Sequence, residues 1–330
     1  MRRSGRFTLV GMLLIVAALS SAQSTTTSSL PPPTGDNGSV PTLVDGTIDL
    51  RSYHFDGKPL SLEGEWEWFP GVLLDEASDG DASAPDSVEG ELLELPVSLP
   101  PAEAIGVGTL RLILLPPAGN DLYGLKIPYT ASANRVLVNS ELLGGAGSVK
   151  RPIRAEYAPQ ELFFPGDGSP VELTIHVANK HHRRMSLNTV YFGKAEQIVR
   201  FTSLRLARDA LIFGSLLVLA LYHLFVYFLH RRDRAFLFFA AIALLSAFRV
   251  GITRERLLLR LWSEMPPELM MKLGYAPVFL LLPLIILYLH SLSPYDALDG
   301  AAAVGRWFGG AFLLLILFTP VRVYDWIFNY

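Results

Sequence analysis

The placement of apolar residues along this chain of 330 residues constrains its fold more than any single motif does. A short apolar run opens the chain, a long water-compatible segment follows, and long apolar runs fill the last third. Runs of that length cross a lipid bilayer as helices. The layout therefore predicts a domain outside the membrane, followed by a bundle of membrane-spanning helices.

Residues 1–22 have the pattern of a secretory signal peptide. Arginines form a basic start, residues 7–19 are apolar but too short to span a bilayer, and small residues precede Gln23. The alternative is an uncleaved first membrane anchor. Under both interpretations the next segment lies outside the cytoplasm.

Two regions of different composition follow the signal. Residues 23–46 are rich in Ser, Thr and Pro, and they have too little apolar surface to order themselves, so we predict a disordered tether. Residues 47–200 contain short stretches of period two, broken by Gly, Pro and Asp. This spacing predicts an antiparallel β-sandwich rather than a parallel sheet. The clearest predicted strands are 62–68, 109–115, 122–127, 135–138 and 171–177.

Residues 201–330 are predicted to form the membrane region. Its four predicted helices lie at about 211–229, 235–252, 273–289 and 307–324. The export signal places residues 23–210 outside the cell membrane, so the first span runs inward and the basic stretch 230–234 lies in the cytoplasm.

Composition excludes several kinds of chemistry. The chain has no cysteine, which rules out disulfides, thiolate metal sites and a cysteine nucleophile. Its formal net charge of -3 gives no field that would attract nucleic acid. Phosphate-binding, zinc and dinucleotide motifs are not found in the sequence, so we expect no cofactor and no metal.

Several stretches together carry a family resemblance. They are LEGEWEWF at 62–69, GTLRLILL at 108–115, NRVLVNSELL at 134–143, VELTIHVANKHH at 171–182, YFGKAEQI at 191–198 and the apolar hairpin at 222–250. In this order the chain resembles the bacterial seven-transmembrane receptors with diverse intracellular signalling modules, in the subgroup with an extracytoplasmic jelly-roll sensor domain. The similarity covers everything after the tether.

The resemblance implies both fold and function. The fold would be a mixed one, an all-β, galactose-binding-like jelly-roll sandwich over 47–200 followed by an α-helical transmembrane bundle. The chain would be the sensor and input portion of a receptor in the bacterial inner membrane. It would bind a small extracellular ligand, with a carbohydrate as the favoured class, and receptors of this kind commonly work as homodimers.

The family has seven spans and then a cytoplasmic kinase, cyclase or phosphatase. Four spans would return this chain to the outside, so we expect it to be a fragment or a truncated gene, with any enzymatic output beyond Tyr330. Two smaller departures concern loops. Asn139-Ser140 stands where the family usually has Asn-Gly, and Arg183-Arg184-Met185 stands where it often has Gly-Gly.

The best candidate for ligand contact is the segment after the last predicted strand. Asn179, His181, His182 and Arg183 offer directional hydrogen bonds to sugar hydroxyls or to a carboxylate, and sandwich loops are common binding surfaces. With less support from the sequence, Trp68 and Arg151 are further candidates for contact with the ligand. The alternatives are that the basic run contacts lipid headgroups and that Trp68 belongs to the core.

Other polar groups are interpreted more simply. Glu63, Glu65 and Glu67 share one strand face, which is more typical of a solvated surface than of a glycosidase carboxylate pair. Neighbouring strand residues point to opposite faces, so His181 and His182 do not form a metal site. In the membrane region, His223 fits a helix-packing hydrogen bond better than a ligand or proton-relay role, and Arg249 can snorkel to the interface.

Rival functions remain at this point. The chain could be a membrane-anchored carbohydrate-binding or protein-interaction module, or an accessory part of a glycoside hydrolase, since 62–69 also resembles the start of a sugar-binding domain found in such enzymes. That reading needs a catalytic barrel, which the sequence lacks. A transporter should show related repeats among its spans, and these spans are dissimilar.

Overall fold

The computed structural model describes residues 41–55, 57–74, 90–100, 106–128, 133–179, 185–231, 233–262, 264–292 and 296–320. Contacts divide these residues into two compact units, one ending at Leu204 and one beginning at Arg205. The predicted signal peptide and the predicted ligand residues His181, His182 and Arg183 lie outside the described residues.

The unit before Arg205 is built from strands. They are β1 Leu43–Val44, β2 Thr47–Asp49, β3 Leu60–Ser61, β4 Gly64–Pro70, β5 Glu91–Leu95, β6 Val97–Leu99, β7 Gly106–Leu115, β8 Asp121–Ile127, β9 Ala133–Val138, β10 Glu141–Ala146, β11 Gln160–Gly166, β12 Val171–Asn179, β13 Met185–Leu187 and β14 Tyr191–Lys194. Every strand predicted from the alternation falls on one of these elements, with bounds that differ by a few residues.

These strands form two main sheets that share one core. The larger has the order β10-β9-β12-β7-β2-β1-β4-β5, the smaller has the order β11-β8-β14-β3, and β13 pairs separately with β6. Most pairs are antiparallel, whereas β1 with β4 and β2 with β7 are parallel. Side chains from both sheets, such as Leu112 and Ile175 from one and Leu125 and Phe192 from the other, belong to a single buried cluster. The two sheets therefore pack as a sandwich.

The alternation on β4 explains its position in the core. Trp66 and Trp68 have 0% and 2% of their surface exposed, and Trp66 donates its indole hydrogen to the Leu62 carbonyl at 3.1 Å. On the opposite face, Glu67 pairs with Arg111 of β7. The apolar face and the charged face are thus separated as the sequence predicts, and burial of Trp68 favours the core alternative for this residue.

The sandwich begins earlier than predicted. The predicted tether extends to residue 46, but Leu43 and Val44 form β1, and Leu43 is buried opposite Ile48 and Gly64. A strand of two residues has too short an alternation to be recognised against its Ser- and Pro-rich surroundings.

The β9–β10 connection is a two-residue hairpin at Asn139-Ser140. Val138 pairs with Glu141, and both turn residues have positive φ, 50° and 65°, as a type I′ turn requires. The Asn139 side chain also accepts a hydrogen bond from the Glu172 amide at 2.8 Å. The chain therefore keeps the conformation that Asn-Gly favours, although serine is strained there.

Replacing Ser140 with glycine is expected to stabilise the sandwich by about 0.5–1 kcal/mol, because glycine adopts positive φ without a Cβ clash. Thermal unfolding of the full chain in detergent, followed by tryptophan fluorescence, measures the change. Ser98→Gly in the exposed part of β6 is the matched control, and it should lower the transition temperature. An equal decrease for both variants would contradict the turn argument.

Within the described residues, five helices follow the last strand. They are α1 Ala195–Leu229, α2 Arg234–Ile252, α3 Leu257–Leu261, α4 Pro267–Leu292 and α5 Asp296–Phe318. The first begins before the membrane region predicted from residue 201. Its start is explained by Gln197, whose side chain accepts a hydrogen bond from the Lys194 amide at 3.0 Å, as in half of a capping box.

Three helices are long and apolar enough to cross a membrane, counted over the described residues: Ala195–Leu229, Arg234–Ile252 and Glu268–Leu292. They coincide with the first three predicted spans. The fourth predicted span overlaps α5, whose apolar part Ala302–Phe318 is shorter, and its last residues lie beyond the described chain. The protein therefore has a mixed fold, a β-rich domain followed by apolar helices.

Candidate ligand site at one end of the sandwich

Strand register brings three buried amide side chains to one end of the sandwich. Asn134, near the start of β9, lies opposite Val177 of β12, and Asn179 is the last residue of that strand. Two residues along a strand return to the same face, so Asn179 and Asn134 are diagonal neighbours on the core side. Gln160 begins β11 in the other sheet. We call this group the amide cluster.

The amide cluster links the two sheets directly. The Gln160 Nε2 donates to Asn134 Oδ1 at 2.6 Å, and the two residues are 8% and 2% exposed. Among the described residues, the Gln160 Oε1 is a buried acceptor without a hydrogen-bond partner. Leaving such an atom unpaired costs about 1–3 kcal/mol. A further hydrogen-bond donor that reached the Gln160 Oε1 would therefore stabilise this end of the core.

A basic loop, residues 147–156, lies at the same end. Ser148 and Arg154 close it with two backbone hydrogen bonds of 2.9 and 3.1 Å, and the Glu156 carboxylate accepts from the Gly147 amide at 2.9 Å. The loop exposes three cationic side chains. They are Lys150, Arg151 and Arg154.

Apolar contacts hold the basic loop against the strand ends. Val149 is buried in a cluster with Ala133 of β9 and Ala178 of β12, and Ile153 packs on the same cluster. Because Ala178 immediately precedes Asn179, the loop is fixed beside the end of β12. The basic loop, which contains Arg151, therefore lies at the same end of the sandwich as Asn179.

A surface groove of about 330 Å³ opens between the hairpin β9–β10 and the basic loop. Its lining residues are Asn134, Arg135, Leu142, Gly144, Gly145, Gly147, Ser148, Val149 and Lys150. Glycine lets β10 pack closely on β9 at this point: a Cβ on Gly145 would lie 2.6 Å from the Asn134 carbonyl oxygen. Ser148 and the two basic residues Arg135 and Lys150 are among the lining residues, whereas the Asn134 side chain is hydrogen-bonded to Gln160 in the core.

The predicted site residues have different positions. Asn179 and Arg151 lie at the groove end, the first buried and the second exposed. Trp68 lies in the core beneath this end, because its ring packs against Gly108, which pairs with Val177. It supports the floor of the region and offers no surface to a ligand.

Sequence reasoning missed Asn134, Gln160, Arg135 and Lys150. For Asn134 a signal existed, since it occupies a core-facing position of β9 in phase with Val136. A polar side chain in such a position needs a hydrogen-bond partner, because burying it without one is costly. The partner, Gln160, could not be identified because the two residues are separated by 26 positions and belong to different sheets.

The opposite end of the sandwich has another chemical character. A second groove there includes Asp121, Asp167 and Ser169 in its lining. Hydrogen bonds from the hydroxyl and amide of Ser169 hold the pKa of Asp167 below its usual range, so this carboxylate stays ionised. This groove therefore has two aspartates in its lining, of which Asp121 is paired with Lys194 at 3.1 Å, whereas the other end carries the basic loop.

Within the membrane unit, the two predicted polar residues serve helix packing. The His223 Nδ1 donates to the Leu219 carbonyl at 2.9 Å, and its ring lies 4.2 Å from that of Phe239 on α2. Arg249 makes a long hydrogen bond of 3.4 Å to the Gly274 carbonyl on α4. The hydrogen bond of His223 therefore stays within α1, its ring contacts α2, and Arg249 connects α2 to α4.

A second polar cluster in this unit was not predicted. Arg205 of α1 contacts Glu255, in the loop between α2 and α3, at 2.9 Å, and Arg208 contacts Asp209 at 3.0 Å. The two carboxylates are nearly fully buried, 3% and 2% exposed. Burial, followed by the charge of Arg208, lowers the pKa of the neighbouring Arg254 guanidinium.

These spans and their packing can be compared with known proteins. Residues 206–330 match the family model of 7TM diverse intracellular signalling. The match supports a seven-transmembrane receptor family, and together with the three apolar helices it makes the chain a membrane protein. No curated protein matches the sequence.

The β-rich unit resembles parts of solved glycosidases only distantly. A β-glucuronidase from Ruminococcus gnavus in complex with N1-substituted uronic isofagomine is 12% identical, with a TM-score of 0.32 over 41% of this chain and 29% of that one. The Faecalibacterium prausnitzii β-glucuronidase is 13% identical, with a TM-score of 0.33 over 44% and 33%. A GH2 β-galacturonidase from Eisenbergiella tayi bound to galacturonate is 10% identical, with a TM-score of 0.30 over 44% and 26%. The chain spans at most a third of their lengths.

Proposed function

We propose that the chain is the sensor and membrane-input portion of a bacterial signalling receptor of the inner membrane. Its sandwich, of jelly-roll type, lies outside the cytoplasm and binds a small ligand, for which a carbohydrate is the favoured class. The observation that carries the proposal is the direct passage from β14 into α1, without a linker, in a chain whose following helices match a receptor family.

The start of α1 is anchored on the sandwich by several contacts. Gln197 donates to the Phe55 carbonyl at 2.6 Å, Ile198 is fully buried, and the rings of Tyr191 and Phe201 lie 5.2 Å apart. The same helix then continues to Leu229 within the membrane unit. At a rise of about 1.5 Å per residue, a displacement of β14 is carried along the helix axis rather than absorbed by a flexible joint.

In this mechanism the ligand shifts a balance between two arrangements of the receptor. It can do so only by binding one arrangement more tightly than the other. The groove lies on the hairpin β9–β10, and β9 pairs with β12. The hydrogen bond that Gln160 Nε2 donates to Asn134 Oδ1 connects that sheet to β11, and β11 pairs with β8, which in turn pairs with β14. A continuous set of hydrogen-bonded strands thus connects the groove to the helix.

A ligand screen tests the proposal. The full chain in lipid nanodiscs is heated with D-glucose, D-galactose, N-acetyl-D-glucosamine or D-glucuronate, and unfolding is followed by tryptophan fluorescence. We expect at least one sugar to raise the transition temperature, because a ligand that binds only the folded state stabilises it.

Two variants test whether the rise in transition temperature comes from ligand bound in the groove. Asn134→Ala should abolish the shift, whereas Asn120→Ala in the groove of the opposite end should retain it. Absence of any shift across the panel would contradict a carbohydrate sensor. It would favour the protein-interaction module, for which the groove needs no small ligand.

A further inference from the structure

The loop between α2 and α3, residues 253–256, holds two residues in a strained conformation. Arg254 and Arg256 have φ of 58° and 51°, in the left-handed region that residues with a Cβ adopt only at a cost. The turn is closed by the Arg256 amide, which donates to the Thr253 carbonyl at 3.1 Å. Such strain persists only where surrounding contacts hold it, and it is concentrated at sites that change conformation. The loop can therefore relax when the contacts that hold it are lost.

Two contacts hold the strained loop against other helices. Glu255 lies between the two strained residues, and its buried carboxylate meets the Arg205 guanidinium of α1 at 2.9 Å. The Arg256 guanidinium contacts the Met270 Sδ of α4 at 3.8 Å. The loop is thus tied to α1 through Glu255 and to α4 through Arg256.

The face of α1 that carries Arg205 also carries a buried acceptor without a partner. Asp209 follows Arg205 by one helical turn, so the two side chains lie on the same face. The Asp209 Oδ1 accepts hydrogen bonds of 3.2 and 3.0 Å from the Arg208 guanidinium. Its Oδ2 is buried and has no hydrogen-bond partner among the described residues. An additional donor would remove the cost of burying this atom unpaired.

Arg254 is a cation that could supply this donor. In the part of the chain that the structure describes, its guanidinium makes no hydrogen bond and no ion pair. Burial, followed by the charge of Arg208, lowers the pKa of this guanidinium, and the charge of Asp209 opposes that shift. Arg254 therefore lies close enough to Asp209 for their charges to interact, although it does not donate to the carboxylate.

We propose that residues 253–256 form a two-position switch. In the position of this structure, Glu255 pairs with Arg205 and the loop is strained. In the other position the backbone relaxes, and Arg254 donates to the Asp209 Oδ2. The two pairs exclude each other, because a change of φ at Arg254 redirects the chain at the Glu255 that follows it.

The position of α1 selects between the two pairs. Arg205 and Asp209 are one turn apart on this helix, so a movement of α1 along its axis favours one pair at the expense of the other. The switch is a property of the membrane unit. It goes beyond the proposed sensor function and does not depend on which ligand the sandwich binds.

The test measures the distance between α1 and α3. The chain has no cysteine, so spin labels can be attached to introduced cysteines alone. Leu211 of α1 and Leu261 of α3 are 71% and 74% exposed, and Leu211→Cys with Leu261→Cys provides the labelled pair. Electron paramagnetic resonance of the full chain in nanodiscs should give one dominant distance. Glu255→Gln should raise the population of a second distance by about tenfold or more, because it removes the pair that holds the loop.

Further substitutions in the Glu255→Gln background assign the second position. Asp209→Asn and Arg254→Gln should each return the second distance to its original population, because each removes one partner of the alternative pair. Arg254→Lys keeps the cation and should retain the second distance. Lys272→Gln in the otherwise unchanged chain is the control, and it should leave the distances as they are, because Lys272 pairs with Glu268 outside the loop.

The outcomes separate the parts of this proposal. An unchanged distance in Glu255→Gln, with folding confirmed by the unfolding transition, would overturn the switch. A second distance that persisted after Asp209→Asn would overturn the alternative pair. If Glu255→Gln did not fold, Glu255→Asp, which keeps the charge and shortens its reach, should show the second distance at a lower population, and an unchanged distance there would also overturn the switch. None of these measurements contains a sugar, so their failure is distinct from failure of the sensor proposal.

Discussion

Replacing Gly108 with alanine is expected to destabilise the sandwich by about 3 kcal/mol, because the added methyl group has no space. A Cβ at this position would lie 2.6 Å from Cζ2 of the Trp68 ring. That ring is 2% exposed and closely packed, so it cannot swing into solvent. Either the indole or the strand β7 has to move, and both are held by the core.

Unfolding by heat and by denaturant of the full chain in detergent measures this loss. A double-mutant cycle with Trp68→Phe is the control, since phenylalanine lacks the outer ring atoms that the new methyl group would meet. The cost of Gly108→Ala should be clearly smaller in that background, and the difference is the coupling between the two sites. Equal costs in both backgrounds would show that the clash is not with the indole.

Replacing Arg205 with glutamine is expected to destabilise the membrane unit by about 3 kcal/mol, because it removes the cation that contacts the buried Glu255 carboxylate. The reverse change, Glu255→Gln, should cost less. Arg205 is 29% exposed, so its guanidinium can still reach water, whereas the carboxylate at 3% exposure cannot. The unequal effect of the two substitutions is the distinguishing result.

Thermal unfolding in nanodiscs measures both variants. Lys272→Gln provides the matched control, because Lys272 pairs with the largely exposed Glu268 one helical turn away and donates a hydrogen bond to the Leu317 carbonyl at 3.3 Å, and we expect the loss of both contacts to cost only about 1 kcal/mol. Equal losses for Arg205→Gln and Lys272→Gln would contradict a structural role for the buried pair.

The elements of this fold were predictable where local periodicity is strong. Strand β12 alternates apolar and polar residues over most of its length, and the first three spans are apolar over the thickness of a bilayer, so each could be assigned to an element, although α1 begins well before the predicted first span. Elements that are too short to show a periodic pattern of apolar residues could not be predicted. The two-residue strand β1 and the first turns of α1 depend on partners distant in the sequence.

The candidate site was predictable only in part. Asn179 and Arg151 were selected for their chemistry, and the structure places both at one end of the sandwich. Their proximity depends on the packing of Val149 on Ala178, a contact between residues far apart in the sequence that no local pattern encodes. The Arg205–Glu255 pair depends in the same way on helix packing, and a charge on an apolar helix indicates a buried partner without naming it.

The absence of a linker between β14 and α1 has a consequence for chimaeric receptors. Each residue turns an α-helix by about 100°, so a fusion within α1 that adds one residue rotates everything after it by that angle. Seven added residues, about two turns, leave the rotation nearly unchanged. Exchange of sensor domains at Leu204 and Arg205 therefore has to preserve helical phase as well as reading frame.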